Sequence, residues 1–112
     1  MKIIEIKKSK FVPYIFDIKN KEDIKVIFNN LKVEHKKSAH IVYAYLLKEN
    51  NKISGGFNND GEPCGGRKIY NILEIKKCEN KAIFIVRYYG GIKLGASGLD
   101  RAFIKAAASL FE

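Results

Sequence analysis

Cysteine is scarce here: Cys64 and Cys78 are the 2 cysteines of a 112-residue chain. They are too few for a disulfide framework, and no C-x-x-C pair or His/Cys cluster has the spacing of a zinc site. Free thiols in a reducing cytoplasm are therefore the expectation. The helix predicted between them keeps them apart, because about eleven helical residues rise some 16 Å, against the ~7 Å that a disulfide permits between Cα atoms. Long apolar runs are lacking too. No segment approaches the ~20 residues of a membrane span, and the opening MKIIEIKKSK has no apolar stretch long enough for a signal peptide. Acid is the third shortage, with 12 acidic residues against 21 basic ones and a formal net charge of +9. That balance points to polyanionic partners such as RNA, the ribosome or an acidic protein face, while the expectation of no membrane partner rests on the missing apolar span. Arginine is rare within it, at Arg67, Arg87 and Arg101 alone. Lysine supplies the rest, so a solvated, lysine-enriched surface without a partner is the competing explanation. With 46% hydrophobic residues, the chain is long enough for one domain, 1–112, with a single core.

The most informative stretch is Val86 to Phe103, VRYYGGIKLGASGLDRAF. Ala82 to Tyr89 is apolar at nearly every position and rich in β-branched and aromatic residues, the pattern of a strand buried on both faces. Gly90, Gly91, Gly95 and Gly98 follow, in a loop that must turn sharply or admit a close backbone approach. A helix then begins, with Leu99, Ala102, Phe103, Ala106 and Leu110 in one apolar stripe and Ser97 and Asp100 at the spacing of a capping box. Strand, glycine loop and helix start is an arrangement that offers free N–H groups to an anion. The spacing G-G-x-x-x-G-x-x-G matches neither the dinucleotide fingerprint nor the phosphate loop of nucleotide hydrolases. A tight turn that needs its glycines only for packing is the alternative. The surrounding charge favours the anion site, since Lys81, Arg87, Lys93, Arg101 and Lys105 outnumber the lone acid Asp100.

In chain order, Ile3 to Ile6 and Phe11 to Ile18 read as a hairpin, with Pro13 arguing for an edge or strand-start position. Asn20 offers an N-cap for a helix running to about Val33, with Glu22 and Asp23 at its positive end. Ala39 to Leu47 and Ile53 to Phe57 form a second hairpin around two asparagines. The segment NNDGEPCGG, Asn58 to Gly66, is turn chemistry and the second glycine loop. A shorter helix over about Arg67 to Lys77 leads to the central strand. The order is ββαββαβα, which suggests an α/β two-layer sandwich: helices on one face of a mixed sheet, the other face solvated and open to binding.

The D-G-E-P-C-G segment at Asp60 to Gly65, the Val86 to Phe103 segment and the A-H-I-V-Y-A-Y segment at Ala39 to Tyr45 resemble three signatures of the IMPACT/YigZ family. This resemblance implies the fold of the second domain of a small-subunit ribosomal protein, shared by domain IV of the translocation factor EF-G, with a left-handed crossover. It also implies a role in translational regulation. Bacterial relatives usually continue into a ferredoxin-like domain, whereas this sequence stops at Glu112 just after the third helix, so that C-terminal domain is expected to be absent. Two departures stand in the signatures. Cys64 replaces a serine in the first, whose continuation after Gly65 is shortened to Gly66, Arg67 and Lys68. Ser97 stands where the second often has glycine.

Asp60 and Glu62, with His40 from a nearby strand, could in principle serve as acid and base of a hydrolase or hold a divalent metal. An Asx-type turn with a salt bridge to an arginine, and a hydrogen-bonded core histidine, is the plainer explanation. No catalytic group, metal or cofactor is therefore expected. Cys64 among glycines near Arg67 could have a lowered pKa, or simply be a small side chain. His35 suits a helix C-terminus. The expected binding surface joins Arg87, Gly90, Gly91, Lys93, Gly95, Ser97, Gly98 and Arg101 of one loop to Asp60, Gly61, Glu62, Gly65, Gly66 and Arg67 of the other. Arg87, Lys93 and Arg101 would contact phosphates, and Tyr88 or Tyr89 would stack on unpaired bases. RNA or the ribosome is the first partner this implies. A translational-control or stress-response protein, bound without nucleic acid, is the second.

Overall fold

The computed structural model describes residues 2–112. Its first hairpin joins β1 (Ile4–Ile6) to β2 (Ser9–Asp17) through Lys7 and Lys8, both at positive φ. Because β1 pairs only with Ser9 to Phe11, the outer side of β2 is free at Pro13, where a missing N–H does no harm. Helix α1 (Lys21–Glu34) starts on Asn20, whose Oδ1 accepts the Asp23 N–H at 3.1 Å. The Asp23 carboxylate in turn accepts the N–H of Asn20, completing a capping box at the predicted N-cap. Strands β3 (His40–Glu49) and β4 (Lys52–Asn58) form the second hairpin around Asn50 and Asn51, which adopt the left-handed conformation asparagine tolerates. Helix α2 (Gly66–Ile75), strand β5 (Lys81–Tyr88), helix α3 (Gly95–Ala108) and a 3-10 turn at Ser109–Phe111 complete the chain. The predicted order ββαββαβα is the observed one.

Two expectations are corrected. The sheet has the order β1-β2-β5-β3-β4, and every neighbouring pair is antiparallel, so it is not mixed. A strand–helix–strand unit suggests adjacent parallel strands, and β2 and β3 do run the same way. β5 lies between them, however, antiparallel to both. β4 and β5 are likewise separated by β3. The helices, secondly, cover both faces. Ile83 and Ile85 of β5 pack with Phe11, Val42 and Ala44 against Ile69 and Leu73 of α2 and Phe103 and Ala106 of α3. Ala82, Phe84 and Val86 point the other way, with Ile41 and Leu47, against Ile24 and Leu31 of α1. The molecule has three layers, and the supposedly solvated face carries α1. The physical reason lies in β5, buried from Ala82 to Arg87. A central strand apolar on both sides needs a cover on each, since each fully buried Ile, Val or Phe contributes roughly 1.5–3 kcal/mol.

Candidate functional site

The D-G-E-P loop is tied down by its own polar groups. The Asn58 side chain accepts the Asp60 N–H at 2.7 Å, and Asn59 Oδ1 accepts the Gly66 N–H at 2.8 Å at the start of α2. Asp60 Oδ2 accepts from the Ile41 N–H and from Lys32 Nζ, both at 2.7 Å, pinning the loop to β3 and α1. Gly61 lies so close to the His40 ring that a Cβ would meet Nε2 at 3.0 Å.

Glu62 is turned inward, with 1% of its side chain exposed. Its Oε1 accepts from Arg87 Nη1 at 2.7 Å, and His40 Nδ1 donates to its Oε2 at 2.5 Å. The Arg87 guanidinium lies over the rings of Phe11 and Tyr89, at 5.6 and 5.5 Å, and Nη2 stands 3.5 Å from Ser9 Oγ. Ser9 Oγ also accepts the Gly90 N–H at 3.1 Å. Gly90 is obligatory there, because a Cβ would fall 2.1 Å from the Lys8 carbonyl carbon.

The two glycine loops lie together. The Cys64 thiol donates to the Ala96 carbonyl at 3.4 Å, and a Cβ on Gly65 would strike the Phe103 ring at 2.5 Å. Between the loops is a cleft of about 550 Å³. Glu62 and Pro63 line one side, Arg87 and Tyr89 line it from β5 and its end, and Lys93 to Ala96 with Leu99 line the other. Gly95 has φ +72° with open space where a side chain would be, so it is needed for its conformation and leaves the cleft mouth unobstructed.

The helix cap differs from expectation. α3 begins at Gly95 on Leu94, with no side-chain cap and no acid in its first turn, and Ser97 already lies within the helix. The Ser97/Asp100 capping box is therefore not formed. The glycines let the chain enter the helix three residues earlier, and the amino end of α3 stays open toward the cleft. Asp100 instead faces Cys64. Burial pushes the Cys64 thiol up to about 11, and the Asp100 carboxylate adds to the rise, so the thiol is protonated rather than activated. Both cysteines are free.

Of the expected phosphate contacts, Lys93 lines the cleft, whereas Arg87 is buried against Glu62 and Arg101 lines a different groove with Lys7 and Lys105. Arg67 lies over the Tyr70 ring. Tyr88 points to the α1 face, where its hydroxyl meets His35 Nδ1, while Tyr89 is 52% exposed at the cleft. Strand alternation separates the two tyrosines. Sequence patterning does not single out Ser9, Pro63 or Leu94. Pro63 has a signal in the D-G-E-P segment, whereas Ser9 in a lysine-rich turn has none.

The sequence profile of the family described as the Impact N-terminal domain matches residues 7–111. The chain is 35% identical to an IMPACT family member of Haemophilus influenzae, covering 96% of this chain and 55% of that protein. It is 33% identical to the IMPACT family member YvyE of Bacillus subtilis, over 94% and 49% of the two chains. The chain thus spans about half the length of the curated relatives it matches. Among solved structures, that of a hypothetical protein superposes with a TM-score of 0.90 at 28% identity, covering 98% of this chain and 55% of the other. The two-domain translational regulator Yih1 superposes at 0.64 with 18% identity, over 97% and 44%. With a profile match that runs almost end to end and relatives above 30% identity along most of its length, the chain belongs to the IMPACT family through that family's N-terminal domain.

Proposed function

We propose that this domain is a non-enzymatic binding module of the translation machinery, which seats single-stranded RNA, free or ribosomal, in the cleft between its two glycine loops. The observation that carries the reading is the uncapped amino end of α3, opening into that cleft beside Lys93 and the exposed Tyr89 ring. A phosphate would sit at the N–H groups and Lys93, and a base on Tyr89. The carboxylates of the D-G-E-P loop favour binding over hydrolysis. Asp60 holds a backbone N–H and Lys32, and Glu62 holds Arg87 and His40. The description of Yih1 as a translational regulator is consistent with this role.

Titrating a labelled oligouridylate at several salt concentrations tests the reading. Affinity should fall linearly with the logarithm of salt, by about 0.7 per phosphate neutralised. No binding at low salt removes it. The second reading, a module for a translational-control or stress-response protein, is favoured by the apolar walls Pro63, Leu94 and Leu99 and by Ile92 nearby in sequence, 44% exposed. It predicts capture of a partner with weak dependence on salt.

A further inference from the structure

On the far side of Leu94 a second groove runs between α3 and the β1–β2 turn, with a volume of about 360 Å³. Its apolar lining is aliphatic: Ile6, Leu94 and the partly exposed Ile104. Its charges are all positive, from Lys7, Arg101 and Lys105, and among the described residues none of the three has an acidic partner within ion-pair distance. Of the nearby acids, Glu112 pairs with Lys2 and Asp100 faces Cys64, while Glu5 and Glu112 share the adjoining depression with Lys105 without an ion pair to it.

The groove is shaped by two local choices. Leu94, Gly98, Arg101 and Lys105 follow one another at four, three and four residues along α3, so they share a face, and Gly98 leaves the groove floor without a side chain. A Cβ there would lie 3.4 Å from Leu94 Cβ, an ordinary contact, so packing does not demand glycine. The hairpin turn presents Lys7 at φ 48° and Lys8 at φ 68°. The other hairpin fills the equivalent positions with asparagines, which suit that conformation far better than lysine does.

We propose that this groove docks an acidic protein segment carrying an aliphatic side chain. Arg101 takes a carboxylate through its forked N–H groups, Lys7 and Lys105 take neighbouring carboxylates, and the aliphatic side chain enters between Ile6 and Ile104. Nucleic acid suits the groove less well, because no aromatic ring lines it for a base to stack on. The proposal stands apart from the RNA cleft.

The test is fluorescence anisotropy with a short labelled peptide of aspartates and glutamates around a central pair of leucines, beside the same peptide with serines for the leucines. The leucine peptide should bind roughly tenfold or more tightly than the serine peptide, as burying aliphatic groups implies. Arg101→Glu, at an exposed position, should abolish its binding. Gly98→Ala should weaken it without lowering the melting temperature, since alanine favours the helix and shallows the groove. Equal binding of the two peptides would reduce the groove to general charge attraction. An Arg101→Glu variant that loses oligouridylate as strongly as it loses the peptide would assign the surface to nucleic acid, and a leucine peptide that does not bind would end the proposal.

Discussion

Arg87 and Glu62, the one from the central strand and the other from a surface loop, meet in a 2.7 Å ion pair with 8% and 1% of their side chains exposed. The pair ties the D-G-E-P loop to the middle of the sheet and forms part of the cleft wall. Removing one partner leaves the other charge buried and unpaired, which costs about 3–5 kcal/mol. Glu62→Ala should lose stability on that scale in denaturant unfolding. Removing both, as Glu62→Gln with Arg87→Met, should lose distinctly less than the sum of the single changes. Additive losses would mean that the two side chains do not act as a pair.

Gly65 and Gly95 should behave differently, although both have positive φ. Gly65→Ala drives a Cβ to 2.5 Å from the Phe103 ring, so overpacking of roughly 1–3 kcal/mol adds to backbone strain. Gly95→Ala meets open space, and its penalty is the conformational one alone, roughly 1–2 kcal/mol. Phe103→Ala, at a fully buried ring, should cost about 3–5 kcal/mol. Thermal unfolding of the three variants should rank Gly95→Ala as the mildest, and oligouridylate binding should weaken most, relative to stability, in that same variant.

Lys93 and Arg101 lie in separate depressions, so their roles should divide. Lys93→Ala should weaken binding to all single-stranded RNAs by a similar factor and reduce the salt slope by about 0.7, the share of one phosphate. Arg101→Ala should leave RNA affinity nearly unchanged. Parallel losses in both variants would describe one continuous anion surface across Leu94.

Cys64 should be a slow nucleophile. With its thiol held near 11 by burial and by Asp100, alkylation by iodoacetamide in a Cys78→Ser background should rise through about pH 11, not near 9. The folded state binds this proton more tightly than the unfolded chain. Its contribution to stability is thus complete below pH 9 and lost as pH rises toward 11. Tyr14, Tyr43 and Cys78 are also raised by burial, so the effect of Cys64 is read from the difference between Cys64→Ser and its parent on alkaline unfolding. A profile centred near 9 would mean that the thiol is open to solvent.

Element order was legible in the sequence because its signals are local. A continuous apolar run of β-branched and aromatic residues marked β5, the Asn20 and Asp23 cap marked the start of α1, and the paired asparagines marked the second hairpin. The two loops were visible for the same reason, since glycine and Asx chemistry act over a few residues. Only the tertiary structure decided which strand enters between which, because β5 pairs with β2 and β3 across distant parts of the chain and its insertion makes the sheet antiparallel. The same pairing decided the chemistry of the site. An arginine beside a glycine loop reads as a phosphate contact until Glu62 is folded beneath it. Tyr88 and Tyr89 are alike in sequence until the sheet sends one toward α1 and the other to the cleft. Burial and charge pairing are properties of neighbours in space, and those neighbours are supplied by the fold.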